Sequence, residues 1–73
     1  MFSKEKFGGR LSELRREKGL SQAEIARLLG VSTTQAGDME RGKTGTTLER
    51  LVLLSEYFHV STDYLLGLKD ERE

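Results

Sequence analysis

Apolar residues recur along this chain at helical spacing. Phe7, Leu11 and Leu14 fall at i, i+4 and i+7, and Ile25, Leu28 and Leu29 share one face. Leu48, Leu51, Val52, Ser55 and Phe58 form a third stripe. Such spacing marks amphipathic helices. Between the stripes a punctuation repeats: an apolar residue, a serine, a helical stretch and a glycine. Leu20–Ser21 leads to Gly30, Val31–Ser32 to Gly42, and Val60–Ser61 to Gly67. Serine caps a helix start because its hydroxyl accepts from an unpaired amide of the first turn. Glycine closes the other end because it tolerates the left-handed conformation. Ser21 and Glu24 have capping-box spacing, as do Ser32 with Gln35 and Thr46 with Glu49. Leu20 with Ile25, and Val60 with Leu65, fit the hydrophobic staple that sets how a chain enters a helix. The pattern predicts helices over 4–18, 21–29, 32–41, 47–58 and 61–67. Helices of about 8–10 residues are marginal alone in water, so these must pack on one another. The expectation is an all-α, compact five-helix domain over 1–68, followed by a charged, frayed tail over 69–73.

Composition narrows the function classes. A chain of 73 residues holds one domain and a small core. Without cysteine there is no disulfide framework and no thiolate zinc site, and a cytoplasmic location is the default expectation. The longest apolar run, Leu51–Leu54, is far short of a membrane span, and no apolar stretch follows the first residues as a secretory signal requires. His59 is the sole histidine and has no companion ligands, so it reads as a helix-end residue rather than a metal site. No serine–histidine–acid or cysteine–histidine arrangement is available for nucleophilic catalysis. The expectations are therefore no enzyme, no cofactor, no metal and no small-molecule ligand.

Twelve basic residues balance twelve acidic ones, but unevenly along the chain. Met1–Lys43 carries nine Lys/Arg against six Asp/Glu, and Thr44–Glu73 carries three against six. A basic half can meet an anion, although solvated surface explains the same asymmetry.

The stretch "GDMERGKT", Gly37–Thr44, spells the phosphate-binding G-x-x-x-x-G-K-[ST] string. A phosphate loop needs a buried strand before it and a helix after it. "VSTTQA" is rich enough in β-branched residues to be weighed as a strand. Yet 73 residues leave no room for a doubly wound sheet, and Asp38 and Glu40 would repel a triphosphate. The cap at Ser32 accounts for the same residues better, with Gly37 in mid-helix and Gly42 as the stop.

Ser21–Arg41 then reads as two helices joined by a very short, glycine-closed turn, which forces a large crossing angle. Ile25, Leu28, Val31, Ala36 and Met39 can meet inside that corner. Thr33, Thr34, Gly37, Asp38 and Arg41 fall on the outside, a small and polar face of a shape that can enter a major groove.

"RLSELRREKGLSQAEIARLLGVSTT", then "MERGK" and "LVLLSEYFHVSTDYLLG", resemble the phage-repressor (Cro/cI-like, Xre) helix-turn-helix family over residues 7–67. The resemblance implies a lambda-repressor-like domain binding double-stranded DNA, usually as a homodimer on a near-palindromic operator. It implies base reading by Thr33, Thr34 and Asp38. It implies phosphate contacts from Gln22, Gln35, Arg41, Lys43, Thr44 and Thr46, with Arg10 reaching the same strand. It makes Arg15 and Glu40 an internal ion pair. For Arg15, Arg16 and Lys18, a solvated helix face is weighed beside phosphate contact. For the apolar end of the fifth helix, a dimer patch of Tyr64, Leu65 and Leu68 is weighed beside a simple lid on the core. The chain departs from the family pattern at Ala36, which is small, at Gly37, and at Asp38, whose carboxylate suits cytosine N4 but not phosphates. Thr33–Met39 holds no Lys or Arg. The functional expectation is a transcription regulator, in the first place a repressor. The alternative is a protein-interaction module or antitoxin-type adaptor on the same fold with weak or lost base readout.

Overall fold

Five hydroxyls start five helices. In a computed structural model describing residues 1–73, Ser3, Ser21, Ser32, Thr47 and Ser61 each accept from the backbone N–H three residues on, at 3.0–3.2 Å. They open α1 (Lys4–Glu17), α2 (Gln22–Leu29), α3 (Thr33–Glu40), α4 (Leu48–Phe58) and α5 (Thr62–Leu66). Each such cap contributes about 1 kcal/mol. At α2 and α3 the box is reciprocal: Glu24 Oε1 accepts from the Ser21 N–H at 2.9 Å and Gln35 Oε1 from the Ser32 N–H at 2.8 Å. The Ser21 amide and then its hydroxyl hold the Glu24 carboxyl below the ordinary carboxylate range. The fourth cap corrects the sequence reading. Thr47, not Thr46, starts α4, while the Thr46 hydroxyl is buried and makes no hydrogen bond.

The core takes Phe7, Leu11 and Leu14 from α1, Ile25, Ala26 and Leu29 from α2, and Ala36 and Met39 from α3. Leu51, Leu54 and Phe58 of α4, the linker residue Val60, and Tyr64 and Leu65 of α5 complete it. Of the corner residues, Ile25, Ala36 and Met39 are buried, whereas Leu28 and Val31 pack at its edge. The Gly37–Thr44 string forms no phosphate loop: helix, not strand, precedes and includes Gly37. His59 closes α4 in the left-handed conformation, φ 56°, as the only non-glycine residue with positive φ.

Helices α1 and α3 touch backbone to backbone at Gly8. A Cβ there would collide with the Met39 carbonyl oxygen and lie 2.6 Å from that of Glu40. Nothing in the periodicity of α1 announces this.

The tail is laid down rather than frayed. Arg10 donates to the Tyr64 carbonyl, to the Lys69 carbonyl at 2.7 Å and to Asp70 Oδ1 at 2.8 Å. Arg72 bridges Glu17 at 2.6 and 2.9 Å and Glu13 at 3.1 Å, and its carbonyl accepts from the Ser61 N–H. The guanidinium carbons of Arg10 and Arg72 stand 4.2 and 5.4 Å from the Tyr64 ring centre, within cation–π range. The charged run that looks like solvated surface is thus stitched to α1 by partners more than fifty residues away in sequence.

Two predictions follow from this packing. Gly8→Ala lowers stability by about 1–3 kcal/mol through overpacking, whereas Gly9→Ala, with nothing within 4 Å of the new methyl, raises it by up to about 1 kcal/mol. Urea unfolding followed by circular dichroism reads both, and equal effects would refute the close approach. Arg72, by hydrogen bonding, holds the Glu17 carboxyl below its ordinary value of 4.5. A carboxyl depressed in the folded state adds stability above its unfolded pKa, and that stability is lost as pH falls through the folded value. Arg72→Ala is therefore less stable than the native chain near neutrality, and the gap narrows as pH drops below about 4.5. Melting curves across pH check this, and a gap that widened in acid would contradict it.

Candidate nucleic-acid interface

The geometry begins at the turn. Gly30 ends α2 at φ 71°, ψ 33°, a left-handed conformation that disfavours side chains with a Cβ. The Val31 N–H then bonds back to the Ala26 carbonyl at 2.9 Å, and Ser32 caps α3 at once. With so short a link, α3 must pack across α2. Its inner face, Ala36 and Met39, is buried. Thr33, Thr34 and Gln35 are exposed in its first turn.

What holds α3 at its far end is ionic. Arg15 of α1 donates to Glu40 at 2.6 Å from Nε and 3.0 Å from Nη2, a forked geometry matched to a carboxylate. Its third arm donates to the Leu20 carbonyl at 2.9 Å, and Gln22 Nε2 donates to the same carboxylate at 3.1 Å. The side chains are 13% and 5% exposed. The hydrogen bond to Glu40 raises the Arg15 pKa further above its ordinary value, against the opposing effect of burial.

The outer face has its own ion pair. Arg41, which caps the C-terminus of α3, turns back along the helix, and its Nη2 reaches Asp38 Oδ1 at 2.8 Å. Its guanidinium lies over Gly37, so that a glycine on the outer face is nevertheless buried. Lys43 and Thr44 follow in the exposed loop beyond α3.

The residues expected to touch DNA therefore divide. Thr33, Thr34, Asp38 and Arg41 share the outer face of α3, with Gln35 beside them and Lys43 and Thr44 just beyond. Gln22 is half-buried and partly committed to Glu40, and Gln35 is committed through its oxygen to the cap at Ser32. Two expected phosphate contacts are corrected. Arg10 is taken up by the tail and the Tyr64 carbonyl, its side chain 14% exposed. Thr46 turns its hydroxyl inward. Of the two readings of the apolar end of α5, the burial of Tyr64 and Leu65 fits the lid on the core, and of the three patch residues only Leu68 is exposed. Sequence reasoning missed Leu48 and Val52, one turn apart on α4 and both exposed. Their places in the apolar stripe of α4 pointed inward, and the one available signal was that the stripe is wider than a short helix can bury. It missed as well the contact of Gly37 with Arg41, of which a mid-helix glycine four residues before an arginine was the visible sign.

No group of His, Asp and Glu side chains is placed to hold a metal ion. No helix is long and apolar enough to cross a membrane.

Comparison with known proteins agrees with this geometry. A family model described as helix-turn-helix matches residues 11–65. The transcriptional regulator ImmR of Bacillus subtilis is 41% identical over 64 residues, 88% of this chain and 50% of ImmR. A transcriptional regulator from Listeria innocua superposes with a TM-score of 0.80 at 41% identity, over 84% of this chain and 57% of that one. The P22 c2 repressor, solved in complex with a synthetic operator, superposes with a TM-score of 0.77 at 32% identity, over 86% of this chain and 96% of that one. The chain spans about half the length of several curated relatives it matches. It belongs to the helix-turn-helix family of transcription regulators, in its phage-repressor (Cro/cI-like, Xre) branch.

Proposed function

We propose that the chain binds duplex DNA sequence-specifically and acts in the cytoplasm as a transcriptional repressor, pairing as a homodimer on a near-palindromic operator. One observation carries this reading: α3 is anchored on its inner face by Ala36, Met39 and the Arg15–Glu40 pair, and presents Thr33, Thr34, Asp38 and Arg41 on a bare outer face. A rigid helix with a polar outer surface fits a major groove of about 12 Å width. Thr33 and Thr34 supply methyl and hydroxyl groups for thymine methyls and base acceptors. Lys43 and Thr44 meet the flanking phosphates, with Gln22 at the start of α2 adding an amide beside helix N–H groups. The P22 c2 repressor, with this fold, was solved on an operator, which supports the same docking here. In a dimer the two α3 helices enter successive major grooves about 34 Å apart. Leu68 is the residue of the expected apolar patch left to serve that pairing.

A second reading keeps the fold and drops the base readout. Two observations favour it: the zero net charge and the absence of Lys or Arg from Thr33 to Met39. The chain would then be a protein-interaction module.

Mobility shifts against random duplexes, with selection of bound sequences, separate the two. The regulator enriches a two-fold-symmetric sequence; an adaptor shifts nothing even at low salt. Lys43→Ala weakens all duplexes alike and lowers the salt slope of log affinity by about one. Thr34→Ala relaxes preference at one base pair, by less than the about 1–3 kcal/mol that a bidentate pair provides. If Lys43→Ala changed neither affinity nor salt slope, the phosphate assignment to that loop would be wrong.

A further inference from the structure

The commonest specific contact in major grooves is a forked arginine on guanine O6 and N7. Thr33–Met39 contains no arginine, and the next residue able to make that contact is Arg41 at the helix C-cap. Long side chains on a helix lean back over the preceding turn. Arg41 does so, and the turn it covers is the one carrying Gly37.

The fit there is close. A Cβ at Gly37 would stand 2.9 Å from Arg41 Nη1, 3.1 Å from Nη2 and 3.3 Å from Cζ. Glycine is among the poorest helix formers, worse than alanine at any interior position. Gly37 has no positive φ to justify it, and the nearest atoms a methyl would meet all belong to the Arg41 guanidinium. Folding alone therefore favours alanine at this site. What glycine provides is room for the guanidinium to come close against the outer face of α3. Asp38 then orients it, accepting from Nη2 at 2.8 Å, while the Arg41 side chain makes no other hydrogen bond within the chain. The arginine side chain is 53% exposed. The same pair removes a difficulty of the interface, since a carboxylate already matched to a guanidinium no longer faces the phosphates as an unpaired charge.

We propose that Gly37, Asp38 and Arg41 form one reading unit for guanine: Arg41 crosses Gly37 to donate to guanine O6 and N7, and Asp38 positions it. This deepens the proposed DNA-binding function and rests on it. It moves Arg41 from the phosphate contacts to the bases, and makes Asp38 a positioning residue rather than a direct reader. An ordinary surface ion pair between residues three apart on a helix does not explain why a glycine lies beneath the guanidinium.

The test begins with selection of duplexes bound by the native chain. Affinities are then measured for the enriched duplex, for one with its guanine replaced by adenine, and for one carrying 7-deazaguanine, which lacks N7. The native chain enriches guanine at one position per half-site and loses about 5- to 150-fold on either altered duplex, the range one forked contact supports. Arg41→Ala no longer distinguishes the three, and Arg41→Lys, whose ammonium lacks the planar fork, distinguishes them less well. Gly37→Ala melts no lower than the native chain, yet loses the same discrimination because its methyl displaces the guanidinium. Asp38→Asn keeps part of it. If Arg41→Ala weakens all three duplexes by one common factor, Arg41 is a phosphate contact and the reading unit is refuted, with the DNA-binding function intact. Retained discrimination in Gly37→Ala refutes the role of the glycine. Failure of the native chain to shift any duplex overturns both this proposal and the function beneath it.

Discussion

The forked pair of Arg15 with Glu40 is the constraint on which the rest of the molecule depends. It joins the first helix to the end of the third with two short bonds, and takes in the Leu20 carbonyl and the Gln22 amide as well. The pair thus gathers α1, the last residue of α3, the first residue of α2 through the carboxylate and the loop before α2 through the guanidinium. Pairs this buried add little net stability, because desolvation offsets much of their attraction, but loss of one partner costs about 3–5 kcal/mol. Their use is geometric. A core contact between aliphatic side chains allows sliding, whereas a fork on a carboxylate admits one register. The pair therefore fixes where α3 ends and how it is rotated.

That constraint matters because little else restrains so small a domain. Its longest helix has 14 residues and its shortest five, and helices of these lengths do not persist alone. Each is begun by a side-chain cap and held by one apolar face, with the core buried almost entirely by aliphatic residues and two large aromatics, Phe7 and Phe58, besides Tyr64. The tail extends the same economy. Arg72 and Arg10 both lie within cation–π range of the Tyr64 ring and tie the last residues of the chain to α1, so the surface of α1 that its sequence marks as charged and free is instead occupied.

How much of this was legible follows from the range of each interaction. A cap joins a hydroxyl to an amide three residues away, so the helix starts at Ser21, Ser32 and Ser61 could be read from the letters alone. The slip from Thr46 to Thr47 shows the limit: two adjacent threonines offer the same cap, and the choice falls to which hydroxyl the fold turns inward. The turn at Gly30 and the outer position of Thr33 and Thr34 were likewise local matters. Arg10, Arg15 and Arg16 look alike along α1, yet the first is bound by the tail, the second is buried on Glu40 and the third is exposed. The acidic partners of the first two lie 60 and 25 residues off, where no spacing rule reaches, and only the family resemblance pointed to the Arg15–Glu40 pair. For Tyr64 and Leu65 the letters left a dimer patch and a lid on the core both open for the same reason, since burial is decided by what the chain lays over them.

Gly8 and Gly37 show how one residue type answers two different demands. At Gly8 the missing side chain admits a backbone: the carbonyls of Met39 and Glu40 come so near α1 that a methyl would push the helices apart. At Gly37 it admits the end of a flexible side chain, which a methyl would merely turn aside. The first cannot be changed without moving α3, and the second can be changed without moving anything but Arg41. The two are linked through Glu40. Gly8 and Arg15 fix that residue from the inside, and Arg41 is the next in the chain. The root of the arginine is in turn tied to the end of α3 by its own N–H on the Gly37 carbonyl, and its outer end is left to Asp38 for placement. A guanidinium so rooted loses less conformational freedom on meeting a base than one on a free loop, which is the condition under which a forked contact discriminates well.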